Sequence, residues 1–231
     1  MKNLFVLLGA LAMTYSASAQ NQLSKKEQQQ GWHLLFDGKT TTGWHTYLKP
    51  EASAAWKVSD GALTLDPKAE GQGDLVTDKE YENYELSVDW KISPEGNSGI
   101  IFGVHEDPAL SQTYLSGIEM QVLDNEKAED NKKANHLAGS LYDMKAPAVA
   151  SAKPAGEWNT AKISKKDGHL IFWLNGKEVI NVQMGSPEWK ELINNSKFKT
   201  WKDFAAYPKG KIALQDHNHE VAFRNIKIRE I

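Results

Sequence analysis

The chain has 231 residues, 40% of them hydrophobic, with a net charge of −3 at pH 7 and no cysteine. It has no basic stripe of the kind that a phosphate backbone requires, which argues against nucleic acid as a partner. Without cysteine an exported fold must rely on packing instead of disulfides, and the eight tryptophans are expected to supply part of that core.

The first residues have the composition of a secretory signal peptide. Residues 1–3 are basic, residues 4–13 are apolar, and small residues lead up to Ala19. The apolar run is too short to span a membrane, so we expect cleavage after Ala19, a periplasmic or secreted protein and no membrane insertion. Residues 20–30 form a polar lead, either loose or a short helix. We expect residues 31–231 to form a single domain, because all-β domains often reach this length.

Short strands separated by turn residues follow along the chain. Asp60-Gly61 and Asn175-Gly176 predict two hairpins, since both residues of each pair accept positive φ. Residues 125–157 are polar and irregular, and residues 186–188 open one short helix with Ser at the N-cap and Pro at the first position. The predicted strands are residues 32–36, 56–58, 62–65, 84–92, 99–104, 116–123, 158–163, 169–174, 177–182, 211–216 and 220–229. This pattern predicts an all-β, antiparallel β-sandwich.

Two of these strands carry an unusual polar face. In residues 116–123, Glu119 and Gln121 alternate with apolar residues, and Gln215 and His217 do the same after residue 211. Either each strand has one solvent-exposed face, as antiparallel sheets commonly do, or these side chains form the floor of a sugar-sized site on a concave sheet.

The spacing of the carboxylates argues against ordinary glycosidase chemistry. Retaining glycosidases need two carboxyl groups about 5 Å apart. Here the alternate position after Glu119 is Gln121, and Asp124 shares the face of Glu119 only if a bulge intervenes. Loop histidines offer other acid–base groups: His136 follows the strand, and His217 precedes His219 at the alternate spacing of a weak metal pair.

Ordered motifs give the chain a family resemblance. The motifs are Asn-Ser-Gly at 97–99, Glu-Met-Gln-Val-Leu-Asp-Asn at 119–125, Gly-Ser-Leu-Tyr-Asp at 139–143, Lys-Pro-Ala-Gly-Glu-Trp-Asn at 153–159, Trp-Leu-Asn-Gly at 173–176, Ser-Lys-Phe at 196–198, Leu-Gln-Asp-His at 214–217 and Phe-Arg-Asn-Ile at 223–226. With them the sequence resembles the 3-keto-disaccharide hydrolase family, also called the 3-keto-glucoside lyase and 3-keto-2-hydroxy-glucal hydratase domain. The resemblance implies a concanavalin A-like jelly roll, export, and activity on glycosides oxidised at C3. Many relatives carry Arg where this chain has Phe102-Gly103.

The implied reaction is β-elimination followed by hydration, with net hydrolysis. A ketone at C3 acidifies the proton at C2, so a base can remove it and the substituent at C1 can leave. Within this chemistry we expect Glu119 or His217 to be that base. We expect Gln121 and Gln215 to orient the sugar or to donate to the developing enolate.

The remaining implied roles are less specific. His136 or Asp124 would assist the leaving group, and Trp201 would form a stacking wall. Glu157 is either a loop ligand or part of a structural turn, and Asn97 is interpreted as structural. No cofactor is certain, although a divalent cation is compatible with the chemistry. The alternatives are a lectin-like carbohydrate-binding module and a conventional glycoside hydrolase.

Overall fold

The computed structural model describes residues 20–231, and the predicted signal peptide lies outside the described residues. Among residues 20–231, no helix combines the length and apolar character needed to cross a membrane. The polar lead contains a short helix, α1 (Lys25–Gln29), which is one of the two alternatives predicted for it. Ser24 and Glu27 form a capping box at its start, because each side chain accepts a hydrogen bond from the other's backbone N–H.

Thirteen strands are described in residues 20–231, and every pairing between them is antiparallel. They are β1 (His33–Leu34), β2 (Trp44–Thr46), β3 (Trp56–Ser59), β4 (Ala62–Leu65), β5 (Leu75–Thr77), β6 (Tyr84–Ile92), β7 (Asn97–Val104), β8 (Ile118–Leu123), β9 (Asn159–Lys166), β10 (His169–Leu174), β11 (Lys177–Gln183), β12 (Lys211–Leu214) and β13 (Val221–Glu230). One sheet has the order β11-β10-β9-β6-β13-β4-β3, with β1 also paired to β13; the other has the order β2-β5-β12-β7-β8. The predicted antiparallel β-sandwich is confirmed.

The hydrophobic core lies between the two sheets. Phe102 of β7 and Phe172 of β10 meet edge to face with ring centroids 5.8 Å apart. Such a pair contributes roughly 0.5–1.5 kcal/mol beyond its buried area. Four tryptophans are almost fully buried, which confirms that they contribute to packing: Trp44, Trp56, Trp90 and Trp189.

The predicted turns and helix are present. Asp60-Gly61 joins β3 to β4 and Asn175-Gly176 joins β10 to β11, all four residues with positive φ. Helix α2 (Pro187–Asn194) begins at the predicted position, where the Ser186 hydroxyl accepts from the Trp189 N–H at 3.1 Å. The sequence firmly predicted one short helix, whereas residues 20–231 contain two, α1 and α2. Strands β2 and β5 were not predicted, because three residues are too few to show a two-residue period.

Candidate active site

The polar face of β8 lies on the outer side of the five-stranded sheet. Ile118, Met120 and Val122 belong to the core between the sheets. Glu119 and Gln121 lie on the opposite face, and yet both are buried, with 7% and 1% of their surfaces exposed. The interpretation of this face as ordinary solvent surface is therefore wrong.

Three neighbouring strands align the polar residues. Gln121 of β8 lies opposite Gly99 of β7, and Gln215, directly after β12, donates its N–H to the Gly99 carbonyl at 2.9 Å. A Cβ atom at Gly99 would lie 2.7 Å from Cδ of Glu119. Real Cβ atoms essentially never come so close to another heavy atom, so glycine at this position allows the Glu119 carboxyl group to lie over β7.

A pocket of about 310 Å³ opens on this face, at the small end of the range for ligand sites. The surrounding walls come from the loops that cross the sheet. The residues that line the pocket are Asn97, Tyr114, Glu119, Gln121, Tyr142, Lys197, Trp201, Gln215 and His217. The structure thus brings together five residues predicted from the sequence: Glu119, Gln121, Trp201, Gln215 and His217.

Glu119 is the carboxyl group of the pocket floor. Burial raises the pKa of Glu119 to about 8, and the positive charge of Lys197 opposes this rise. When the Gln121 amide is oriented to give both of its polar atoms a partner, its nitrogen donates to Glu119 Oε1 at 3.0 Å and to the Ser98 carbonyl at 2.9 Å. Glu119 therefore carries the proton at neutral pH and becomes a strong base once ionised.

Gln215 presents an unpaired oxygen. Only 7% of the residue is exposed, and its side-chain Oε1 has no hydrogen-bond partner within residues 20–231. Buried side-chain oxygens are normally hydrogen-bonded, so this atom is an unused hydrogen-bond acceptor on a residue that lines the pocket. The chain next to Gln215 is held by Asp216. The Asp216 N–H donates to Asp74 Oδ1 at 2.8 Å, and Asp216 Oδ2 accepts from the Gly73 N–H at 2.9 Å.

Aromatic rings and one cation form a wall of the pocket. The rings of Tyr114 and Trp201 lie with centroids 6.0 Å apart. Lys197 Nζ lies 4.4 Å from the Tyr142 ring centroid and 5.9 Å from that of Trp201, so its charge is held against aromatic faces. The Lys197 N–H also donates to Asp143 Oδ2 at 2.7 Å, which fixes the backbone at this position.

His136 lies behind Tyr142 and does not line the pocket. Its Nδ1 is 2.6 Å from Asp130 Oδ1 and its Nε2 is 2.8 Å from Asp143 Oδ1, while the Tyr142 hydroxyl donates to Asp130 Oδ2 at 3.0 Å. Burial and the Asp130 carboxylate raise the pKa of Tyr142 above its usual range. Two carboxylates thus hold His136 outside the pocket lining, and its predicted help to the leaving group stays a prediction.

Asp124 and Glu157 also lie outside the pocket lining. Asp124 accepts from the N–H of Glu95 at 2.8 Å and of Glu126 at 3.0 Å, so it stabilises the turns beside β8. Glu157 is exposed in a turn that its N–H closes onto the Pro154 carbonyl at 3.1 Å. Of the two interpretations of Glu157, the structural turn agrees with this position.

The donor set of the described residues does not match a zinc site. The near-parallel rings of His217 and His219 have centroids 6.0 Å apart. Across residues 20–231, no three His, Asp or Glu side chains converge as ligands. Catalytic zinc usually takes three protein ligands, so these residues do not fit zinc, whereas a cation held by one or two carboxylates stays a prediction.

Four pocket residues were not predicted from the sequence as site residues: Asn97, Tyr114, Tyr142 and Lys197. Asn97, interpreted as structural, begins the Asn-Ser-Gly motif. Tyr142 and Lys197 fall within two further motifs of the family resemblance, so motif membership was an available signal for all three. Tyr114 has no such signal, because it lies in an isolated 3₁₀ turn (Thr113–Leu115).

Comparison with known proteins identifies relatives across most of the chain. A family model described as the 3-keto-alpha-glucoside-1,2-lyase-like domain matches residues 31–229. A 3-keto-disaccharide hydrolase of Bacteroides thetaiotaomicron is 32% identical over 95% of this chain and 86% of its own length. A crystal structure of a candidate glycosyl hydrolase from Parabacteroides distasonis has 33% identity and a TM-score of 0.85, covering 92% of this chain and 99% of that one. A second such structure from the same organism has 28% identity and a TM-score of 0.66, covering 87% and 99%.

Proposed function

Because the chain belongs to the 3-keto-alpha-glucoside-1,2-lyase-like domain family, we propose that it is an exported enzyme that cleaves glycosides carrying a ketone at C3. One observation carries the proposal. Among the described residues that line the pocket, Glu119 is the only carboxylate, and it faces the charge of Lys197. A conventional retaining glycosidase needs a second carboxylate about 5 Å away, whereas removal of a proton beside a ketone needs one base and a stabilised enolate.

Glu119 is the base in the proposed mechanism. Ionised Glu119 takes the proton from C2, and the electron pair of the broken C–H bond forms an enolate whose charge lies on the C3 oxygen. The raised pKa of Glu119 makes its carboxylate a stronger base than an ordinary glutamate. His217, the other candidate for the base, lines the pocket but is exposed, whereas Glu119 is buried.

Lys197 and the two glutamines act on the enolate. The Lys197 ammonium group is the cation that faces Glu119, so it is placed to stabilise negative charge that moves from the carboxylate to the C3 oxygen. Gln121 holds one carboxylate oxygen of Glu119 through its amide nitrogen. The free Oε1 of Gln215 accepts from a sugar hydroxyl and sets the orientation of the ring.

The leaving group departs when the enolate collapses. The electron pair forms the C1–C2 double bond, the C1–O bond breaks, and His217 gives a proton to the departing oxygen. Water then adds to C1, losing a proton to His217, and Glu119 gives C2 a proton that has exchanged with solvent. Overall, one water is consumed, and one 3-keto-sugar and one free alcohol are released. His217 and Glu119 both return to their starting protonation states.

Export is supported by the composition of residues 1–19. A basic start, a short apolar run and small residues before Gln20 are the features of a cleaved leader. Fractionation of cells that express the full chain, with sequencing of the mature N-terminus, tests this part of the proposal. The expected protein lies outside the cytoplasm and begins at Gln20.

The activity is tested by incubating purified protein with a 3-keto-disaccharide and with its unoxidised parent. Release of 3-keto-sugar from the first substrate alone supports the proposal. Hydrolysis of the parent at a comparable rate would instead indicate a conventional glycosidase. Binding of either sugar without turnover would indicate a lectin-like module.

A further inference from the structure

One buried carboxyl group near the pocket has no part in the proposed mechanism. Asp74 directly precedes β5, has 7% of its surface exposed and does not line the pocket. None of the ion pairs within residues 20–231 includes it. A buried carboxyl group without a cationic partner is energetically costly, which makes Asp74 a candidate for a functional role.

The Asp74 carboxylate joins two segments of the chain. Its Oδ2 accepts a hydrogen bond from the hydroxyl of Thr113, and its Oδ1 accepts from the Asp216 N–H at 2.8 Å. Thr113 is fully buried at the start of its 3₁₀ turn. A further bond ties the second segment to the residue before Asp74, because Asp216 Oδ2 accepts from the Gly73 N–H at 2.9 Å. One carboxyl group thus holds the two segments together.

Both segments carry residues that line the pocket. Tyr114 directly follows Thr113, and the other segment carries Gln215 and His217. Each of the two hydrogen bonds is made by a direct chain neighbour of a lining residue. The position of Tyr114 relative to Gln215 therefore depends on Asp74.

The charge of Asp74 also acts on the base. The pKa of Glu119 is raised by burial, lowered by the charge of Lys197 and raised further by the carboxylates of Asp74 and Asp130. Burial and the Asp216 carboxylate raise the pKa of Asp74 itself to about 6. Asp74 is therefore ionised before Glu119 as pH rises, and its negative charge opposes the ionisation of Glu119.

Resting on the proposed function, we propose that Asp74 is a positioning residue of the active site, whose carboxylate holds the segments of Tyr114 and Gln215 together and supplies an unpaired negative charge in the surroundings of Glu119. A neutral side chain could hold the two segments, whereas only an anion acts on Glu119 at a distance. Variants that remove the charge or the hydrogen bond separately distinguish these two effects.

Asp74→Asn removes the charge and can keep both hydrogen bonds. The amide oxygen can accept from the Asp216 N–H, and the amide nitrogen can donate to the Thr113 hydroxyl. Carbon NMR follows the titration of the Glu119 carboxyl group, whose signal is identified by its loss in Glu119→Gln. We expect a midpoint of about pH 8 in the wild type, and a midpoint lower by about half a pH unit or more in Asp74→Asn.

Asp60→Asn is the matched control for the lost charge. Asp60 is exposed in the turn between β3 and β4 of the other sheet, so its replacement is expected to leave the Glu119 midpoint unchanged. An unchanged midpoint in folded Asp74→Asn would overturn the proposal. If the wild type turns over no 3-keto-disaccharide, the proposed function fails, whereas the NMR midpoint still decides whether Asp74 acts on Glu119.

Thr113→Val removes one hydrogen bond and leaves the Asp74 carboxylate in place. Valine has the shape of threonine and cannot donate to Asp74. Because Tyr114 belongs to the pocket wall and not to the reacting groups, we expect KM for the 3-keto-disaccharide to rise by about two- to tenfold with kcat little changed. Thr113→Ser keeps the hydroxyl and is expected to restore KM. A wild-type KM in Thr113→Val would overturn the proposal, and this pair of variants decides it if Asp74→Asn fails to fold.

Discussion

Glu119→Gln is expected to lower the catalytic rate strongly and to stabilise the folded protein at alkaline pH, because one buried carboxyl group is responsible for both effects. The pKa of Glu119 rises from its ordinary value of 4.5 to about 8 on folding, mainly through burial. Between those values the folded protein keeps a proton that the unfolded chain has lost. The free energy of unfolding therefore decreases as pH rises through this window, by an amount on the order of a few kcal/mol when complete. Glutamine never ionises, so the variant lacks this decrease.

Denaturant unfolding at pH 5, 7 and 9 measures the effect. At pH 5 the wild type and Glu119→Gln are expected to differ little, and at pH 9 the variant is expected to be more stable by a few kcal/mol. Glu126→Gln serves as the control, since Glu126 is exposed and its replacement leaves the burial of Glu119 unchanged. Equal pH dependence in the wild type and Glu119→Gln would refute the assignment of a raised pKa to this carboxyl group.

The same variant tests the chemistry. Loss of a general base lowers kcat by roughly 10²- to 10⁴-fold, and we expect a decrease of that size with the 3-keto-disaccharide. Denaturant stability at or above the wild-type value excludes misfolding as the cause. Full activity of Glu119→Gln would move the base to another group, with His217 the next to test.

Three further predictions concern the surroundings of Glu119. Wild-type kcat/KM should rise between pH 6 and 8, since only ionised Glu119 accepts the C2 proton; a profile that is flat over this range contradicts this role. Lys197→Met should lower kcat by about 10²- to 10³-fold, the scale of a lost oxyanion donor, whereas Lys197→Arg should retain part of the wild-type kcat. Equal kcat values for the Met and Arg variants would show that the charge is not used. Gly99→Ala should lower kcat/KM at least tenfold with a small change in melting temperature, since the added Cβ displaces the Glu119 carboxyl group. An unchanged kcat/KM would show that catalysis does not need the present position of this carboxyl group.

Most of the fold could be predicted from local sequence patterns. The alternation along β6 and β8 and the turn pairs Asp60-Gly61 and Asn175-Gly176 each depend on residues close together in the chain. The order of strands within each sheet depends on contacts between distant residues, and the chain alone did not provide it. Strands β2 and β5 escaped prediction because they are held by their neighbours in the sheet and not by a pattern of their own.

The floor of the site could be predicted better than its walls. Glu119 and Gln121 were indicated because a carboxylate and an amide interrupt an apolar strand, and Gln215 and His217 follow the same rule. Tyr114 reaches the pocket from an irregular segment, whose course no periodicity describes. His136 is a different case: its type and neighbourhood favoured catalysis, whereas the structure places it between two carboxylates and outside the pocket lining.

The most direct test of the proposed elimination follows the hydrogen at C2 during turnover in deuterated water. Elimination removes the original hydrogen from C2, and hydration adds to C2 a hydrogen that has exchanged with solvent. The released 3-keto-sugar is therefore expected to carry deuterium at C2. A 3-keto-sugar incubated with Glu119→Gln under the same conditions measures exchange that does not depend on the base. Product released at full rate with its original hydrogen at C2 would contradict the elimination mechanism and the role of Glu119 as its base.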